Sequence, residues 1–136
     1  MTARRWRLLF VLAVLVALFF ALKPASTEPE PIEYLDKLEH IAAFAVLMVL
    51  GVLAALRPVW ALALGLLALG IGIEIAQAFT PDRTPDVRDV VADAIGIVTG
   101  LLLYVLWREL SQRRASRTPL AGSSQTAAAT DATRPR

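Results

Sequence analysis

The chain has 136 residues, 57% of them hydrophobic and 19% charged, with a formal net charge of +2 and no cysteine. Soluble domains average about 45–50% apolar residues, and so short a chain cannot hide the excess, because much of its surface must face water. A water-soluble domain, a disordered chain over roughly the first hundred residues, a disulfide framework and a thiolate metal site are all excluded.

The first element is the apolar run Leu8–Leu22, preceded by Arg4, Arg5 and Arg7 and ended by Lys23 and Pro24. A basic start followed by an apolar run also describes a secretory signal peptide. The run lies at the long end of that class, no small-residue cleavage site follows, and more apolar blocks come after it, so an uncleaved span is expected. Residues 24–35 form a proline-rich acidic loop, and Pro31 is suited to the first turn of the next helix. That helix runs through Asp36, Lys37 and His40 into the apolar block Ile41–Leu56, and Arg57-Pro58 breaks the chain before a third block opens at Val59 and Trp60. Residues 80–86 carry two prolines with Asp and Thr, the composition of a turn. The fourth block runs from Val87 to Trp107, and from residue 111 the chain is Ser, Thr, Ala, Arg and Pro without hydrophobic period, the composition of a disordered tail.

These elements predict an all-α membrane protein, a compact bundle of four transmembrane helices spanning about 6–23, 37–56, 59–79 and 87–107. Residues 1–110 form the membrane domain and 111–136 a disordered cytoplasmic tail. With four spans, the N-terminal arginines, Arg57 and the Arg108–Arg117 region fall on one side and the acidic loop on the other. Basic residues near span ends mark the cytoplasmic side, so both termini are cytoplasmic, in a multi-pass protein of the inner membrane. Trp6, Trp60 and Trp107 then share one interface. Arginines placed beside apolar blocks, rather than along one folded basic face, exclude nucleic acid as a partner.

The chemistry-bearing residues collect at the other end. At about 100° per residue, Asp36 and His40 share a helix face, Glu74 and Gln77 are neighbours on the third helix, and Asp86, Asp89 and Asp93 share a sector of the fourth with Gly96 and Gly100. Ala92, Gly96 and Gly100 make a small-residue seam suited to close helix approach, and Ala68, Gly72 and Ala76 repeat the pattern on the third helix. Glu74 and Asp93 are the deepest carboxylates; intramembrane ionisable groups must pair, bind a cation or hold a proton, and His40, Lys37 and Arg83 are their expected partners. One histidine among several carboxylates suits a hard or borderline cation. No cofactor is called for otherwise: Gly70-x-Gly72 lacks the Lys and Ser/Thr of a phosphate loop, and no serine lies between Ser26 and Ser111 to serve as a nucleophile.

Asp36-Lys37-x-x-His40-x-x-x-Phe44, then Glu74-x-x-Gln77-x-Phe79-x-Pro81-x-Arg83-x-x-Asp86-x-x-Asp89, then Gly96 and Gly100, resemble the VanZ-like family of small bacterial membrane proteins. The resemblance runs from about Asp36 to about Gly100; Asp93 departs from it, since the family more often carries asparagine there. It implies a cell-envelope protein, and the founding member is associated with low-level resistance to the glycopeptide teicoplanin. Carried over residue by residue, the polar signature is Asp36, Lys37, His40, Glu74, Gln77, Arg83, Asp86 and Asp89. The leading expectation is binding without turnover. A membrane lipid or amphiphile head group is held at the outer face, with Lys37 and Arg83 on its phosphate or carboxylate and His40 and Glu74 orienting it. The alternatives are a metal-assisted hydrolase or transferase acting on a lipid-linked phosphate, a proton-coupled carrier, and a structural or assembly partner. In the hydrolase reading His40 is the base, Asp36 orients it, and the metal set is drawn from His40, Glu74, Asp86 and Asp89. A second copy of the chain or another envelope protein is the expected protein partner.

Overall fold

A computed structural model describes residues 2–23, 35–80 and 86–116. Its elements are α1 (Ala3–Ala21), α2 (Leu35–Leu53), α3 (Val59–Gln77) and α4 (Val87–Ser116), and there is no strand among the described residues. The acidic loop 24–34, the turn residues 81–85 with Arg83, and the tail from 117 lie outside the described residues. Met1–Val105 form one compact unit, described next; Leu106–Arg136 form another, whose described part is the exposed last stretch of α4.

Side-chain contacts at the helix ends establish the antiparallel order. Arg7 near the start of α1 donates from Nε to the Ala54 carbonyl, just past the end of α2, at 3.3 Å. A guanidinium there satisfies a carbonyl that the helix leaves unpaired and complements the negative end of its dipole. At the opposite end, Gln77 Nε2 on the last turn of α3 donates to the Ala21 carbonyl of α1 at 2.9 Å. Lys37 in the first turn of α2 reaches Asp86, the residue before α4, at 3.2 Å. The four helices therefore run up, down, up and down, with Arg7 and Arg57 at one end and the carboxylates at the other.

Packing follows the 3.6-residue period. Phe10, Ala13, Val14, Ala17, Leu18 and Ala21 form the stripe of α1 that lies on the core, which centres on Phe44, Leu47, Met48 and Val52 of α2, with Leu66 and Ile73 of α3 and Ile97 of α4. Gly96 and Gly100 let α4 approach the backbone of α2: a β-carbon at Gly96 would stand 2.5 Å from the Ile41 carbonyl oxygen, and one at Gly100 would collide with that of Ala45. The expected seam on α4 is therefore the α2–α4 contact. On α3 the expected seam is corrected. Ala68 and Gly72 are exposed, and a β-carbon at Gly72 would meet nothing within 4 Å. The buried face of α3 is Leu66, Gly70, Ile73, Glu74 and Gln77, nearly opposite Gly72, because Glu74 and Gln77 find their hydrogen-bond partners only inside the bundle.

α2 ends in a Schellman arrangement, with the Leu56 N–H on the Gly51 carbonyl at 3.1 Å and the Ala55 N–H on that of Val52 at 3.0 Å. Ala55 takes the left-handed position, φ 57°, that glycine usually fills. α4 runs to Ser116, past residue 111 where composition placed the start of the tail. Its closing residues are good helix formers, and Arg113 and Arg114 favour the negative end of the helix.

Two of the four helices, α3 and α4, are long and apolar enough to cross a membrane. In α1 and α2 three charged residues each, Arg4, Arg5 and Arg7 or Asp36, Lys37 and Glu39, occupy the first turns and shorten the uninterrupted apolar run. The outer faces are apolar nonetheless: Leu8, Val11, Leu12, Leu15 and Phe19 on α1, and Val98, Leu102 and Val105 on α4, are exposed.

Candidate functional site

The N-termini of α2 and α4 and the C-terminus of α3 meet at the acidic end. Asp86 is the N-cap of α4: its Oδ1 accepts the Arg88 N–H at 2.9 Å, and its carbonyl accepts the Asp89 N–H at 2.8 Å. Glu74 Oε2 on α3 accepts the Asp86 N–H itself at 2.9 Å. The job that a glutamate inside the helix does in a capping box is thus done here from a neighbouring helix. Asp86 Oδ2 takes the Lys37 ammonium at 3.2 Å. The Arg88 N–H holds the Asp86 carboxyl below the ordinary carboxylate value against the opposing effect of desolvation, and the Lys37 hydrogen bond and charge add to the lowering.

Asp89, in the first turn of α4, makes no such cap. It is 5% exposed, its Oδ1 receives no hydrogen bond, and the Lys37 ammonium lies 3.4 Å away at ion-pair distance without hydrogen-bond geometry. One helical turn deeper, about 6 Å by helical rise, Asp93 is fully buried and its Oδ1 pairs with His40 Nδ1 at 2.8 Å. Its Oδ2 has no hydrogen-bond partner and lies against Gly70, where any β-carbon would collide with it. Glycine at that position of α3 is what admits the carboxylate.

Among the sequence-predicted site residues, Asp36, Lys37, His40, Glu74, Asp86 and Asp89 come together through these contacts, and Arg83 lies outside the described residues. Gln77 is tied to the end of α1. Asp36 is not the group that orients His40: the imidazole Nδ1 is taken by Asp93. The residues able to converge on a cation differ from the set read from sequence as well. Asp36, His40 and Asp89 each offer a ligand atom, all within 4.8 Å of one another, whereas Asp86 spends its oxygens on the cap of α4 and on Lys37, and Glu74 spends Oε2 on the cap and keeps Oε1 buried without a hydrogen bond. Asp93 was missing from the carried-over signature; its signal was its i, i+4 spacing from Asp89 toward the glycine seam, which puts it on the packing face.

A family model described as VanZ/LLP1 matches residues 5–108, most of the chain and nearly all of the four-helix unit. The chain belongs to the VanZ/LLP1 family. The chain matches no curated protein and no solved structure. Within this VanZ/LLP1 chain the helix ends and the intervening turns carry the polar residues, and the glycines of α4 that follow them bring those ends together.

Proposed function

We propose that this VanZ/LLP1 chain is a multi-pass protein of the cytoplasmic membrane with four spans, both termini cytoplasmic and its carboxylate-rich end outward, where it engages the head group of a membrane amphiphile. The observation that carries the reading is the fully buried Asp93 paired with the partly buried His40, with Asp89 and Lys37 above them. Ionisable groups at such depth are expensive, and they mark ligand or ion sites rather than lipid-facing surface. The exposed apolar faces of α1 and α4 supply the surface that lipid would cover. Arg7 and Arg57 at the opposite end support the orientation. A contribution to glycopeptide resistance of the teicoplanin type belongs to the same proposal, through altered access of a membrane-anchored drug to its target.

Native mass spectrometry of the detergent-purified protein beside His40→Ala and Asp89→Ala, each at a temperature where it stays folded, tests the site. The expected result is a phospholipid or amphiphile adduct on the wild type that both variants lose. Adducts retained by folded variants would overturn the site, and a cluster that only holds the helices together would show as variants that unfold with no wild-type adduct. Orientation is checked separately in intact cells. The chain has no cysteine, so Ser26→Cys should react with an impermeant maleimide and Ser111→Cys should react only after the membrane is opened; the reverse pattern sinks the topology.

A further inference from the structure

Among the described residues, the cluster that would meet an amphiphile is far richer in carboxylates than in cations. The described contacts gather Asp36, Glu74, Asp86, Asp89 and Asp93 around the Lys37 ammonium and the His40 imidazole. Lys37 is already shared between Asp86 and Asp89. Carboxylates in such excess attract a cation before they attract a phosphate.

We infer that Asp36, His40 and Asp89 bind one divalent transition-metal ion, of the Mn²⁺ or Zn²⁺ class, with Asp93 as a positioning residue behind the histidine. Asp36 and His40 stand one turn apart on α2 and face Asp89 at the start of α4, with their ligand atoms within 4.8 Å of one another. Donors on an octahedral ion with bonds of about 2.1 Å lie at most about 4.2 Å apart, so small side-chain rotations close the set. Asp93 accepts from His40 Nδ1 at 2.8 Å, the hydrogen bond that fixes a ligating histidine with its other nitrogen forward. A second sign is Asp89: it is buried, yet its Oδ1 accepts no hydrogen bond from the described residues and has only an ion pair, at 3.4 Å, with an ammonium already bonded to Asp86. On this reading Lys37 keeps Asp86 and yields Asp89 to the ion. Imidazole with carboxylates selects transition ions over Mg²⁺ and Ca²⁺. Three protein ligands leave coordination positions open, and an anionic head-group oxygen can take one. The inference therefore rests on the amphiphile reading of the same cluster and adds positive charge to that of Lys37.

The test uses the full chain in detergent, stripped with chelator and titrated with Mn²⁺ or Zn²⁺ alone, with bound metal read by calorimetry and by elemental analysis after dialysis. One ion per chain is expected, with weaker binding of Ca²⁺. Asp36→Asn, at the half-buried start of α2, should abolish tight binding without a change in melting temperature, which keeps the test decisive if His40→Gln fails to fold. Asp93→Asn should keep the stoichiometry and weaken binding by about tenfold. Lys37→Gln should tighten it, because the competing ammonium is gone; a purely structural ion-pair network would instead lose stability and bind no metal. No ion on folded wild type, or binding unchanged in Asp36→Asn, overturns the inference. Native mass spectra of the same samples separate the two readings. Lipid adducts with no metal uptake overturn the ion and leave the amphiphile reading standing, whereas metal uptake without adducts supports the ion and removes the amphiphile.

Discussion

Asp93 has one oxygen on an imidazole and the other against a glycine, and its stability rests on the first of these. Removing one partner of a buried pair leaves the other uncompensated, a loss of about 3–5 kcal/mol. His40→Ala should therefore lower stability by that order, and Asp93→Asn by much less, since an amide oxygen still accepts from Nδ1. Thermal unfolding of both variants and of the double variant in detergent measures the coupling; additive effects would mean that the pair contributes nothing. Asp86 gives a pH dependence of known sign. Its folded carboxyl is held below the ordinary value, first by the Arg88 N–H and then by Lys37. The stabilisation is complete above the ordinary carboxylate range and is lost as pH falls through the lowered folded value. The melting-temperature gap between wild type and Asp86→Asn, which cannot ionise, should hold from about pH 7 down to about pH 4 and close below that. A gap that widens on acidification would contradict the cap.

At the scale of elements, close approach of α4 to α2 depends on two missing side chains. A methyl at Gly96 or Gly100 meets a backbone carbonyl, which cannot rotate away. Gly96→Ala and Gly100→Ala should each destabilise by about 1–3 kcal/mol through overpacking. Gly72→Ala, with open space around it, should instead gain up to about 1 kcal/mol of helix propensity. The same substitution chemistry with opposite sign on two helices, read by denaturation in mixed micelles, checks which seam packs. Ala55 offers the converse case at the α2–α3 turn. Its left-handed φ is strained for a residue with a β-carbon. Ala55→Gly should raise stability by about 0.5–1 kcal/mol after the added entropy of the unfolded glycine is counted.

For the whole molecule, the balance of buried and exposed apolar surface makes the environment part of the structure. α1 has no fully buried residue and meets the core along one stripe only. Its other face, with Leu12, Leu15 and Phe19, is as apolar as the stripe. Water would not tolerate that surface, so the protein should remain in the membrane pellet after alkaline carbonate extraction and aggregate when detergent is withdrawn. Release into the supernatant would contradict the membrane reading. Between such surfaces helices associate by close packing and internal hydrogen bonds rather than by expulsion of water. The ties at the two ends, Arg7 to Ala54 and Gln77 to Ala21, therefore matter more than their number suggests.

The four helices, their approximate limits and the residues gathered at the acidic end were all legible from the sequence, because apolar runs, prolines and helical periodicity are local properties. So was the α4 seam, whose glycines recur at i, i+4 beside buried aspartates. Which carboxylate does what was legible only in part: His40 was among the expected partners of Glu74 and Asp93, and the structure gives it to Asp93. Helical spacing states that Asp86, Asp89 and Asp93 share a face, but only the packing of α2 and α3 against that face makes the first a cap, the second a buried oxygen beside Lys37 and the third the partner of His40. The inward side of α3 was misread from its small residues for the same reason. A helix apolar all round has no face of its own, and Glu74 and Gln77 chose it by reaching for Asp86 and Ala21. Local pattern sets which elements form; the pairing of buried polar groups, a property of the assembled bundle alone, sets how they are rotated and therefore what the site contains.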